Sequence, residues 1–171
     1  MISNWLNTCM VVFFSMLVGT AAADPVPVGT VPGDKEALSG LSEVKIIFDI
    51  TTGDAKKLLS RLGLIEETRD SILKQGVTPR FILAFRGPAS LFIQKDENRV
   101  KLEDVEIMEK IQAKIKAMSK DKSYRVAQCA VANRYLKIKN EDTIPEVEVV
   151  GNSFISSGAY QNKGYAYIPI D

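Results

Sequence analysis

The chain has 171 residues, with 22 Lys and Arg against 21 Asp and Glu, 46% hydrophobic residues and no histidine. The near-neutral balance excludes the electrostatic signature of a nucleic-acid binder or of a polybasic membrane patch. The missing histidine excludes the usual general base, the usual zinc ligand and the imidazole of a catalytic triad.

The opening MISNWLNTCMVVFFSMLVGTAAADP reads as a secretory signal peptide, residues 1–23, with an apolar core at Met10–Val18 and a small-residue end at Ala21-Ala22-Ala23. Cleavage is expected after Ala23, although Met1–Cys9 carries no Lys or Arg. The apolar run is about ten residues, short of the roughly 20 that span a bilayer. No stable membrane insertion is therefore expected after cleavage, and the location implied is periplasmic or secreted. Cys9 leaves with the signal, so Cys129 becomes the single cysteine of a mature chain of about 148 residues, enough for one domain. No intramolecular disulfide and no CxxC site can then form.

Residues 24–42, rich in Pro and Gly, read as an extended arm ahead of an α/β domain at 43–171. The β-branched and aromatic run Val44–Ile50 predicts a strand. Asp54 is a helix N-cap, and Ala55, Leu58, Leu59, Leu62, Ile65, Ile72 and Leu73 fall near one face of a helix of about five or six turns that Gly76 stops. Arg80–Phe85 predicts a second strand, and Gly87-Pro88 opens a short helix running to about Gln94. QKDENRVK reads as a polar connection. A helix from Glu103 to Met118 carries the apolar stripe Ile107, Met108, Ile111, Ile115 and Met118. SYRVAQC predicts a third strand, Ala130–Ile138 a helix and EVEVVG a fourth strand. The segment NSFISSGAYQNKG predicts a helix capped by Asn152 or Ser153 and stopped at Gly164. YAYIPI is a last strand, placed by Pro169 at a sheet edge. The order βαβαβαβαβ predicts an α/β fold with a mainly parallel five-stranded sheet covered on both faces and joined by right-handed crossovers.

In such sheets ligands collect at the carboxyl ends of the strands. That rule selects Thr51–Asp54, Arg86–Ala89, Cys129 with Ala130, and Gly151–Ser153. Cys129 falls where a strand becomes a helix, and a helix N-terminus stabilises a thiolate. Arg86 would add to that effect if the second loop lies alongside. The alternative is a small apolar residue filling a strand end. Thr52, Gly53, Arg86, Gly87, Asn152 and Ser153 are the binding candidates of this strand-end crevice, with ordinary helix capping as the plainer account of Thr52, Gly53, Asn152 and Ser153. Neither GxxxxGK[ST] nor GxGxxG occurs, so no nucleotide loop is indicated. Tyr160, Tyr165 and Tyr167 cluster near the end, and Tyr165 and Tyr167 share one face of the last strand.

The segments VKIIFDITTGD, PRFILAFRGPASLFI and VAQCAVANRYLKIKNEDTIPEVEVVGNSFISSGAYQNKGYAYI, in that order and spacing, resemble the DsrE/DsrF-like proteins, especially their exported single-domain branch. The resemblance runs from about Val44 to Ile168. It implies a flavodoxin-like three-layer domain assembled as a homo-oligomer. It also implies a cysteine, matched by Cys129, that accepts sulfane sulfur as a persulfide and passes it on. Arg86 stands where relatives often carry His, so no base is carried over at that position. The expected function is that of a periplasmic sulfur carrier or sulfurtransferase, catalytic at Cys129, with no metal or organic cofactor and with a sulfur donor or acceptor protein as partner. The competing expectation is a non-enzymatic oligomeric module that binds a ligand or partner and keeps Cys129 for packing.

Overall fold

The computed structural model describes residues 32–171. The segment expected to be a signal peptide, residues 1–23, and residues 24–31 of the expected arm lie outside them. Asp34–Asp171 forms one compact unit. Lys35–Gly40 is not extended, as expected of the arm, but coiled into hydrogen-bonded turns, with Leu38 N–H donating to Asp34 C=O at 2.9 Å. The reason is apolar: Leu38 packs against the core.

The strands are β1 (Glu43–Ile50), β2 (Thr78–Phe85), β3 (Tyr124–Cys129), β4 (Glu148–Val150) and β5 (Ala166–Ile170). The helices are α1 (Ala55–Lys74), α2 (Val105–Met118), α3 (Ala130–Leu136) and α4 (Ser153–Asn162). All strand pairs are parallel, in the order β4-β3-β2-β1-β5. This is a flavodoxin-like α/β arrangement. The runs KIIFDI and FILAF are nearly continuous in apolar residues because their strands are covered on both faces.

One face carries Ile46, Phe48, Phe81, Leu83 and Val126, closed over by α1 and α2. Phe81 meets Phe48 and Tyr124 edge-on at centroid distances of 5.2 and 5.9 Å. The other face is thinner. Ile47, Ile82 and Ala84 pack there against Tyr160 of α4 and Tyr165. Right-handedness explains the asymmetry. The connections through α1, α2 and α3 all step toward β4, so they share a face. The return from β4 to β5 crosses the whole sheet in the opposite sense and puts α4 on the other face. Neighbouring strands β3 and β4 thus send their following helices to opposite faces, which opens a crevice at their carboxyl ends.

Several boundaries differ from those read in the sequence. The short helix after β2 is a 3-10 helix that ends at Phe92 rather than near Gln94, and Leu102–Asp104 is a 3-10 turn leading into α2. α3 ends at Leu136 because Lys137 adopts a left-handed conformation, φ 55°, and returns Ile138 to the interior. β4 is only three residues long. Leu73 is 44% exposed, since the 100° step of a helix turns it away while Ile72 faces the core. Pro169 does lie on an edge strand. Thr51 N–H donates to Ile170 C=O at 2.9 Å, so alternate β5 residues face β1 and Pro169 faces outward. No ladder bond is lost there, and the outer edge is one donor poorer for strand addition. Among the described residues, no helix is long and apolar enough to cross a membrane.

Candidate functional site

The β3–β4 crevice is a cavity of about 410 Å³. Cys129 lies in its wall as the last residue of β3 and the N-cap of α3. Its side chain points to the α4 face, where Ser153 N–H, at the start of α4, donates to Sγ at 3.3 Å. Asn152 caps α4 through Oδ1, which accepts from Phe154 N–H at 2.9 Å. That cap leaves the neighbouring N–H of Ser153 free for the sulfur.

The residue's own strand end is fixed from the opposite face. Gln128 Nε2 donates to Asn133 Oδ1 at 2.7 Å, and Asn133 Nδ2 donates onward to Asn140 and Thr143 at 3.1 and 3.3 Å. These buried amides tie β3, α3 and the connection toward β4 together, so Cys129 has little freedom to move.

Two influences act on the thiol. Burial pushes its pKa up, and donors push it down. The donors prevail, leaving the thiol below its ordinary value. They are the hydroxyl and N–H of Ser153, followed by the N–H groups of Ala132 and Val131 in the first turn of α3. The α3 groups act from orientation and proximity, without forming a capping hydrogen bond. The sulfur is held between the starts of two helices, whose N–H groups favour its charged form.

Arg86 does not supply this effect, contrary to the sequence-based expectation: the groups that favour the charged sulfur are those of Ser153 and the first turn of α3, while two Arg86 nitrogens turn to Asp49. Nε and Nη2 donate to the two carboxylate oxygens of Asp49 at 2.7 and 2.5 Å. Asp49 is 3% exposed and also accepts from the Tyr167 hydroxyl. Arg86 is raised above its ordinary value, first by the Asp49 hydrogen bonds. Tyr167 is raised too, by burial and then by Asp49. The Arg86 guanidinium lies 5.1 Å from the centre of the Phe154 ring, a cation–π contact across the cavity wall.

Of the binding candidates, Arg86, Gly87, Asn152 and Ser153 surround the same cavity as Cys129. Gly87 takes φ +56°, which the turn out of β2 requires. Thr52 and Gly53 are not among the residues lining it. Thr52 Oγ1 accepts from Asp54 N–H at 3.3 Å and so serves the local turn. Gly53 sits against the outside of the wall, where a Cβ would come within 2.9 Å of Pro88 Cβ.

Sequence reasoning missed Asp49, Tyr135 and Phe154. Asp49 carried a signal: a carboxylate inside the apolar run IIFDI must be paired if it is buried. Tyr135 and Phe154 carried none, because their role comes from two helices converging. Among the described residues, no Asp, Glu or Lys lines the cavity. Among the described residues, no group of side chains is arranged to hold a metal ion.

No protein-family model matches the chain. It is 30% identical over 128 residues to an uncharacterized protein of Aquifex aeolicus (strain VF5), a match covering 75% of this chain and 56% of that protein. The chain thus spans little more than half the length of the curated relative it matches. Among solved structures, MTH1491, a protein of unknown function from Methanobacterium thermoautotrophicum, aligns with a TM-score of 0.58 at 15% identity, covering 74% of this chain and 98% of that one. That likeness establishes the fold, a parallel α/β sheet flanked by helices.

Proposed function

We propose that the protein is a DsrE/DsrF-like sulfur carrier or sulfurtransferase, exported to the periplasm, that holds sulfane sulfur as a persulfide on Cys129. The observation that carries this reading is the setting of the sulfur: in a cavity wall, under the Ser153 N–H at 3.3 Å, with its thiol below the ordinary value. A thiolate attacks sulfane sulfur, and a persulfide is a reversible cap on cysteine. The chemistry requires no metal or organic cofactor, in keeping with a chain that lacks histidine. The resemblance noted in the sequence supports the family, the export and a homo-oligomer. The exposed apolar residues Tyr135, Phe154 and Ile155 are suited to contact with another copy or with a sulfur donor or acceptor protein.

The test is the intact mass of the purified protein after exposure to a sulfane-sulfur donor, beside Cys129→Ser. A gain of one sulfur atom, removed by a thiol acceptor and absent from the variant, is expected. No adduct, together with slow alkylation of the native thiol, overturns the proposal.

One observation favours a second reading. Cys129 is only 3% exposed and the cavity wall is largely apolar. That combination suits a non-enzymatic oligomeric module that retains a small ligand and uses the cysteine for packing. A thiol that stays silent toward sulfane sulfur while a ligand occupies the cavity decides for it.

A further inference from the structure

We infer that the Cys129 cavity selects small anionic sulfur compounds, and that Arg86 is the residue that holds their acidic group. This rests on the thiol chemistry proposed above and narrows its substrate class. The cavity, at about 410 Å³, lies in the range of roughly 300–1,000 Å³ that suits small molecules. Among the described residues, the only charged side chain lining it is Arg86.

Arg86 is held ready by its surroundings. Asp49 takes Nε and Nη2, while Nη1 makes no hydrogen bond among the described residues. Phe154 lies against the guanidinium. Asp49 stands behind, 3% exposed, with its oxygens occupied by Arg86 and Tyr167. A molecule entering the cavity therefore meets Arg86, which keeps one guanidinium nitrogen unused, and the Ser153 side chain, and among the described residues no carboxylate lines the cavity. A carboxylate or sulfonate on the substrate matches that guanidinium. Its apolar part would lie against Pro88, Leu136 and Tyr135.

The step is balanced without an outside oxidant. The Cys129 thiolate attacks the outer sulfur of an anionic persulfide R–S–SH. A bond forms from Sγ to that sulfur, the R–S to S bond breaks, and RS⁻ leaves with the electron pair. The reverse attack by an anionic thiolate R′S⁻ on the outer sulfur of Cys129–S–SH yields R′–S–SH and restores the cysteine thiolate.

The experiment compares two alkylating agents of nearly equal size, iodoacetate and iodoacetamide, on Cys129. It reads the ratio of their rates against the same ratio for N-acetylcysteine. The expected result is a ratio at Cys129 on the order of tenfold more favourable to iodoacetate, the scale of one charge-assisted hydrogen bond. The ratio should shrink as salt rises. The paired variant Asp49→Asn with Arg86→Gln should bring it to the free-thiol value. Arg86→Lys, which keeps the charge but loses the fork, should restore part of it. A wild-type ratio equal to that of the free thiol, or one that does not respond to salt, overturns the inference. The two readings fail separately: sulfane uptake with no anion preference removes only the selectivity, and anion preference without sulfane uptake removes only the carrier function.

Discussion

Arg86→Gln removes two hydrogen bonds, at 2.7 and 2.5 Å, from a carboxylate that is 3% exposed. The Tyr167 hydroxyl remains, but it brings no charge. Breaking a buried pair by deleting one partner costs about 3–5 kcal/mol, because the surviving charge stays desolvated. Arg86 is itself 30% exposed on its side chain, so part of its attraction is screened and the lower end of that range is the working value. Single domains are stable by about 5–15 kcal/mol, so a loss of about 3 kcal/mol is severe but survivable. For a domain of this size it lowers the melting temperature by on the order of 10 °C. The assay is urea unfolding followed by circular dichroism, with the slope checked for constancy. The companion variant replaces both members at once, Asp49→Leu with Arg86→Met. Removing both charges is expected to lose less than Arg86→Gln alone, since no unpaired charge is left behind. If Arg86→Gln costs less than about 1 kcal/mol, or the apolar pair costs more than the single change, the account of Asp49 as a buried charge held by Arg86 is wrong.

Two further changes probe the walls of the cavity. Ser153→Ala removes the hydroxyl that supports the thiolate but keeps the N–H at 3.3 Å. Losing a donor to the charged form raises the thiol's pKa, so the curve of iodoacetamide reactivity against pH should move to higher pH and the rate at neutral pH should fall. An unchanged curve contradicts the role given to Ser153. Gly53→Ala brings a Cβ within 2.9 Å of Pro88 Cβ, and the stiff ring can give way only by shifting the wall it belongs to. A loss of about 1–3 kcal/mol in urea unfolding is expected, with a changed alkylation rate at Cys129. A neutral outcome in both measurements shows that Pro88 does not hold the cavity's shape.

The alternation of strands and helices was legible in the chain because a doubly covered parallel strand must be apolar almost throughout, as KIIFDI and FILAF are. Helix ends were legible where a side chain does the capping, as at Asp54 and Asn152, or where a glycine turns left-handed, as at Gly76. The end of α3 was not, since Lys137 is a left-handed residue without a glycine's signature. Leu73 and Leu38 show the limit of periodicity: one apolar residue faces outward and the other leaves a Pro- and Gly-rich arm to join the core.

By itself the sequence determined the order of elements, the loops at the carboxyl ends of the strands and the place of Cys129 at a strand-to-helix junction, because those features depend on local patterns of side chain and spacing. Only the tertiary structure decided which loops meet. The right-handed return from β4 to β5 put α4 on the face opposite α3, and so brought Ser153 to Cys129. Packing of three parallel strands brought Asp49, Arg86 and Tyr167 together, turning toward Asp49 two nitrogens that a linear reading had aimed at the thiol. Thr52 and Gly53, equally plausible in the sequence, were directed to the local turn and the outer side of the wall. Convergence of distant loops is fixed by the handedness of connections and by packing, and neither is written in any one segment of the chain.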